Sequence, residues 1–268
     1  MSNISVIIPT YNRAHLISRS INSALSQSYT DLEVIVIDDC SSDDTEQIIS
    51  SIHDERIRYF RNTTNLGAAG SRNQGVSLAN SPLIAFLDSD DSWHSHKLMR
   101  QMEYWKIHPE FDMIYCAYLL HRRDHTTCKV PYANTIGNLE GDLFPTLLLN
   151  NTIGTPTLLM KKEDFISLGG FDTQMQALED WDMVLRFSQN HQIGYIDEIL
   201  VDAFLQPEGV SSQSSAFYSN RCKMIATYKT SLLEKNLFDT AVIQILQHAQ
   251  GNNVLEPVQK MLMSFLQQ

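Results

Sequence analysis

The chain has little positive charge, few cysteines and no long apolar run. Lys and Arg number 20 against 31 Asp and Glu, a formal net charge of −11 over 268 residues. A protein that grips a nucleic-acid backbone carries the opposite balance, so no nucleic-acid partner is expected. The densest basic stretch, His121-Arg122-Arg123 with Lys129 nearby, reads as a solvated loop. Four cysteines occur, Cys40, Cys116, Cys128 and Cys222, and none form a Cys-x-x-Cys pair. That argues against zinc, and the wide spacing suits free thiols in a reducing compartment. No stretch reaches the ~18 uninterrupted apolar residues of a membrane-spanning helix. The opening Ile4-Ser5-Val6-Ile7-Ile8 lacks the basic-then-apolar layout of a secretion signal. A cytoplasmic location is expected. The chain also lacks GxxxxGK[ST], which excludes a P-loop enzyme. No GxGxxG follows the first apolar run, so the dinucleotide fingerprint is missing too.

What remains is 43% apolar, enough for one large domain. Four short runs read as buried strands: Ser5 to Ile8, Val34 to Ile37, Ile57 to Phe60 and Leu83 to Leu87. Between them, Ile17, Ile21, Ala24 and Leu25 recur at helical spacing. Asp43-Asp44 can open a helix through Ile48-Ile49, and Gly67 to Leu78 turns into another. A further helix spans about Ser95 to Ile107. Strands apolar on both faces, alternating with helices, predict a mostly parallel central sheet flanked by helices. In such sheets ligands bind beyond the C-terminal strand ends. Pro9-Thr10-Tyr11, Asp38-Asp39 and Asp88-Ser89-Asp90-Asp91 all fall there.

The second half is less regular. Asp112 to Leu120, Thr155 to Met160, Ile193 to Ile196 and Ile199 to Leu205 read as strands. Gly169-Gly170-Phe171-Asp172 is a turn, and Glu179 to Phe187 a helix with Trp181, Val184 and Leu185 on one side. After Gly209 the pattern is helical. The expectation is one α/β domain over 1–209, with halves 1–107 and 108–209, and a helical extension over 210–268.

Three acids in four positions at 88–91 repel one another. They suit either a solvated turn capping the next helix or a divalent cation site. Carboxylates are hard-oxygen ligands for Mg²⁺ or Mn²⁺, and a cation offsets the repulsion and bridges phosphates. Asn65 to Asn73, NLGAAGSRN, allows close backbone approach through its small residues. Arg72 there either reaches a diphosphate or pairs with a local acid. Glu179, Asp180 and Asp182 are candidate bases, and helical periodicity does not choose among them. Their alternative use is charge complementarity at a helix start.

SVIIPTYN at 5–12, VIVIDDCSSDDT at 34–45, NLGAAGSRNQG at 65–75, DSDD at 88–91 and GGFD at 169–172 followed by Glu179-Asp180 come in a telling order. Together they resemble family 2 glycosyltransferases, inverting enzymes with the GT-A fold. The resemblance runs from residue 5 to about 190. It implies that Pro9, Thr10 and Tyr11 lie beneath a nucleobase, with Asp39 accepting from the base ring N–H. It implies Arg72 near the diphosphate, Asp88 and Asp90 toward the ribose side, and Asp90 and Asp91 at a Mn²⁺ or Mg²⁺ ion. It selects Asp180 as the base, with Glu179 and Thr155 toward the acceptor. The implied donor is a nucleotide-diphosphate sugar, UDP-linked in many relatives. The implied acceptor is a glycan or lipid-linked saccharide of lipopolysaccharide or capsule synthesis. The tail is then a candidate for peripheral contact with the inner membrane face, or for a homodimer. Cys40 stands where Gly is usual in this family, which suggests a turn that does not need glycine's freedom. Two rival readings are a sugar-phosphate nucleotidyltransferase and an inactive nucleotide-sugar-binding protein.

Overall fold

The computed structural model describes residues 2–135, 137–205 and 215–267. The four strands expected first are β1 (Ile4–Thr10), β2 (Leu32–Asp38), β3 (Ile57–Arg61) and β4 (Leu83–Phe86). Helices α1 (Ile17–Leu25), α2 (Thr45–Ser50) and α3 (Gly67–Leu78) connect them. Then come β5 (Ser92–Trp93), α4 (Lys97–Ile107), β6 (Met113–His121), β7 (Thr127–Val130) and α5 (Phe144–Leu149). Next are β8 (Leu159–Lys161), α6 (Lys162–Ser167), α7 (Glu179–Phe187) and β9 (Ile193–Phe204). The C-terminal helices are α8 (Ser215–Thr227), α9 (Lys229–Glu234), α10 (Phe238–Gly251) and α11 (Leu255–Leu266).

The strands form one sheet in the order β3-β2-β1-β4-β8-β6-β9-β5, with β7 paired to β6. The first four are mutually parallel. β8 enters antiparallel between β4 and β6, so β6 again runs the same way as β4, with β9 parallel beside it. Both faces are covered. Ile4, Val6 and Ile8 pack with Val34, Val36, Ile17 and Ile21 on one side. Ile7 packs with Ile35, Ile37, Val76 and Phe86 on the other. The two-residue alternation of a strand produces this split, and it explains why both sets are apolar. Gly75 brings α3 against β1: a Cβ there would meet Ile7 Cγ2 at 2.4 Å.

Two strand expectations change. Residues 155–157 form a 3₁₀ turn ahead of β8 rather than its first half, because Pro156 lacks a ladder donor. The two short strands near 193–205 are one strand, β9. Its register against β6 jumps from Cys116↔Ile196 to Ala117↔Ile199, which sets charged Asp197 and Glu198 in a bulge. The boundary expected near Gly209 lies outside the described residues. Tyr218, Cys222, Ile225, Leu232, Ile245 and Leu262 of the C-terminal helices share one apolar cluster with Phe86, Tyr115 and Trp181. No helix among the described residues is long and apolar enough to cross a membrane.

Candidate active site

The C-terminal ends of β1, β2 and β4 form one polar edge. Pro9 sits at the end of a central strand without loss of a ladder bond. Ile7 O accepts from Leu87 N at 3.0 Å. Pro9 faces the same way two residues later, past Phe86 where β4 has ended. Thr10 is buried; its carbonyl accepts from Asp39 N at 2.8 Å, and its Oγ1 has no partner. Tyr11 leaves the strand and is 47% exposed, so a ring face stays open. Asn12 has φ 51°, a left-handed conformation that Asn tolerates. Its N–H donates to Ser41 Oγ and its Oδ1 accepts from Ser42 N, lacing the β1 loop to the β2 loop.

The two acids at the end of β2 are held within the protein. Asp38 accepts from Ser41 N at 2.9 Å and from the Tyr59 hydroxyl at 2.7 Å. Asp39 Oδ1 accepts from Asn62 Nδ2 and Leu66 N, and Oδ2 from Gly67 N, each at 2.8 Å. A carboxylate offers about four acceptor positions, so Asp39 retains little capacity for a further donor. Its visible work is to dock the start of α3. The inference drawn from Cys40 is corrected here. Its φ is 68°, so the turn does use the left-handed region that glycine occupies freely. The chain tolerates a non-glycine residue at a cost of about 1–2 kcal/mol.

Arg72 pairs with two acids. It is buried, and it donates through Nη2 to Asp88 Oδ1 at 2.6 Å and through Nη1 to Glu179 Oε1 at 2.9 Å. Burial works against its charge, but Asp88 and Glu179 hold its pKa above the usual range. Its guanidinium lies 5.4 Å from the Phe171 ring centroid. The GGFD turn that carries Phe171 is fixed by Asn73, whose Nδ2 donates to Phe171 O and whose Oδ1 accepts from Phe171 N, both at 2.9 Å. The sequence thus brings residues 72, 88 and 179 into one chain of contacts across the cleft.

Asp90 is partly buried and Asp91 is buried. Burial, then repulsion from Asp88, raises the pKa of Asp90. The same causes, with Asp90 added, raise that of Asp91 further. One bond from Phe204 N to Asp91 Oδ1, at 2.9 Å, ties the cluster to the end of β9. Arg19 donates to Asp90 O and lies 4.1 Å over the Phe204 ring. Sequence reasoning missed Arg19 and Phe204, since neither sits in a motif. The hard oxygens of Asp90 and Asp91, mutually repelling and drawn partly out of water, are of the kind that a divalent cation takes. Another cluster lies on the opposite sheet edge, before β6. There Asp112, Asp164 and His191 bring one ligand atom each within 4.8 Å of one another, a set that also suits a divalent cation. Asp112 is already flanked by His191 at 3.2 Å and Lys161 at 3.8 Å.

Helix α7 opens with Glu179, Asp180 and Trp181, directly after Leu178 at φ 63°. Asp180 Oδ1 accepts from Trp181 N at 2.7 Å, and Oδ2 from Asn151 Nδ2 at 3.2 Å. Burial, then the neighbouring Glu179 charge, pushes its pKa up to about 7. Asp182 points elsewhere and accepts from Arg186 Nε at 2.7 Å. Thr155 is buried in the turn before β8. That turn is pinned by Trp93 Nε1 on Pro156 O and Gln101 Nε2 on Thr157 O, both at 2.8 Å.

Residues 5–165 match the family described as Glycosyl transferase family 2. An uncharacterized glycosyltransferase of Haemophilus influenzae is 30% identical over 189 residues, 69% of this chain and 62% of that protein. The Escherichia coli UDP-Glc:alpha-D-GlcNAc-diphosphoundecaprenol beta-1,3-glucosyltransferase WfaP is 42% identical over 111 residues, 41% of this chain and 44% of that protein. The matches therefore span less than two thirds of either relative. In three dimensions the chain resembles S. aureus TarS 1-349 in complex with UDP-GlcNAc. The TM-score is 0.67 at 18% identity, covering 98% of this chain and 89% of that one. At that identity the likeness concerns the fold. The chain belongs to glycosyl transferase family 2.

Proposed function

We propose that this chain transfers a sugar, with inversion, from a UDP-linked donor to a hydroxyl of a glycan or lipid-linked saccharide. The observation that carries this reading is Asp180. It adjoins the Glu179–Arg72–Asp88 chain that leads to the donor edge, and burial with the neighbouring Glu179 charge pushes its pKa up to about 7, where a general base works best. Asp180 takes the proton from the acceptor hydroxyl as its oxygen attacks the anomeric carbon from the side opposite the diphosphate. Tyr11 offers its exposed ring to the base, with stacking worth about 1–3 kcal/mol. Pro9, Thr10 and Asp39 shape that subsite. A divalent cation, Mn²⁺ or Mg²⁺, held by Asp90 and Asp91 would neutralise charge on the leaving diphosphate. Asp88 and Asp90 serve the ribose side, and Arg72 sets Asp88 and Glu179 in place between donor and acceptor. Thr155 and Glu179 border the acceptor.

WfaP acts, by its name, on a diphosphoundecaprenol-linked sugar, and a related Bacillus subtilis protein is named for teichuronic acid biosynthesis. These support surface-polysaccharide synthesis, of lipopolysaccharide or capsule type, at the inner membrane face. The exposed Leu233, Ile243 and Met263 of the C-terminal helices are candidates for membrane contact or a homodimer.

The test is calorimetry with UDP-glucose, UDP-N-acetylglucosamine and GDP-mannose, with Mn²⁺ and then with EDTA, followed by transfer assays of Asp180→Asn. Metal-dependent binding of one donor, and transfer lost in the variant with binding kept, is the expected result. Transfer at the normal rate by Asp180→Asn would remove the base assignment. Diphosphate release from a nucleoside triphosphate plus sugar phosphate would favour a nucleotidyltransferase instead. Donor binding without turnover on any acceptor would favour an inactive binding protein.

A further inference from the structure

Arg221 of α8 is 4% exposed. Burial pushes its pKa down to about 10, and among the described residues no carboxylate offsets that burial. A buried guanidinium without an acid is costly, so its contacts define what it does. The guanidinium lies 4.2 Å over the Trp181 ring. Its Nη2 donates to Leu148 O at 2.8 Å and to Leu149 O at 3.4 Å. Trp181 Nε1 donates to Leu147 O at 2.7 Å. These are the last three carbonyls of α5, which the helix itself leaves unpaired. Two residues later Asn151 reaches Asp180 at 3.2 Å, and Asp180 directly precedes Trp181. The contacts close a ring: Arg221, Trp181, Asp180, Asn151, the end of α5, and Arg221 again.

We propose that Arg221 is a positioning residue for Asp180: from the C-terminal helices it clamps Trp181 and the end of α5, and so fixes both neighbours of the base. The inference rests on Asp180 as the base. It gives the C-terminal helices a role in the reaction that motif reading did not assign. Arg221 acts through geometry. One nitrogen, Nη2, serves two carbonyls while the planar guanidinium covers an indole, and lysine has no flat face to stack there.

The test compares Arg221→Met, Arg221→Lys and Trp181→Phe with the wild-type chain. The first readout is deuterium uptake, which needs no substrate. Segments 146–152 and 178–186 should exchange about 10-fold faster in Arg221→Met, with β1 to β4 unchanged. The second readout is transfer from the donor identified by calorimetry. Arg221→Met should lower kcat by about 10- to 100-fold with donor affinity kept, the scale of a base displaced by about 1 Å. Arg221→Lys should fall between, because it keeps a cation over Trp181. If Arg221→Met does not fold, Arg221→Lys and Trp181→Phe carry the same comparison, since each weakens one side of the ring.

Wild-type uptake in both segments overturns the clamp whatever happens to transfer. So does a wild-type kcat in Arg221→Met when Asp180→Asn is inactive. Normal transfer by Asp180→Asn defeats the base assignment alone. The clamp of α5 on α7 then stands or falls on the uptake data.

Discussion

Asp39 and Asp180 are both carboxylates at a helix start beside the same cleft, and they are treated in opposite ways. Asp39 accepts three bonds of 2.8 Å from Asn62, Leu66 and Gly67. Asp180 accepts one from its own neighbour's backbone and one at 3.2 Å from Asn151. A saturated carboxylate is a fixed acceptor and builds structure. An under-bonded one in a dry setting is pushed up to about 7 and can exchange a proton. The difference separates scaffold from chemistry, although both acids stand in acidic pairs in the sequence.

The largest effect should come from Asp180→Asn, with transfer reduced about 10²- to 10⁴-fold, the usual contribution of a general base. Donor affinity measured by calorimetry should not change. A loss of donor binding would mean that Asp180 belongs with Asp39 as scaffold. Next comes Arg72→Met, which leaves Asp88 and Glu179 without their shared cation. Stability should fall by about 3–5 kcal/mol in urea unfolding, as when one partner of a buried pair is removed. A change below about 1 kcal/mol would show that solvent already screens both acids. Asp39→Ala removes the acceptor of two backbone N–H groups and one amide. It should lower stability by about 1–3 kcal/mol, whereas a loss of donor binding in protein of wild-type stability would make Asp39 a direct ligand.

A smaller effect concerns pH. The folded pKa of Asp180 lies above the ordinary aspartate value of 3.8, so the native state holds the proton that the unfolded chain has lost. Stability therefore falls as pH rises between 3.8 and about 7. Asp180→Asn should raise the Tm relative to wild type at pH 8 and not at pH 3. Equal differences at both values would contradict the shift.

The parallel strands were legible because both faces of β1 and β2 are apolar in unbroken runs. The polar edge followed from where those runs stop. The pairing of Arg72 was open, since sequence does not reveal that Asp88 and Glu179, 91 positions apart, flank one guanidinium. The strain at Cys40 was hidden because the residue type argued against a left-handed turn, and the surrounding bonds of Asp39 and Asn65 impose it. β9 reads as two strands because Asp197-Glu198 interrupts the apolar run, and a bulge accommodates the same charges without ending the strand. Arg221 was unreadable, because a lone arginine in a soft helical pattern carries no sign that it is buried on Trp181.

The most direct measurement is the pH dependence of kcat for the wild-type chain and for Asp180→Asn. Single-base transfer by Asp180 predicts an acid limb with its midpoint near 7 in the wild type. In Asp180→Asn that limb should vanish along with most of the rate. A limb that persists in the variant, or a wild-type midpoint near the ordinary carboxylate value, would contradict Asp180 as the base.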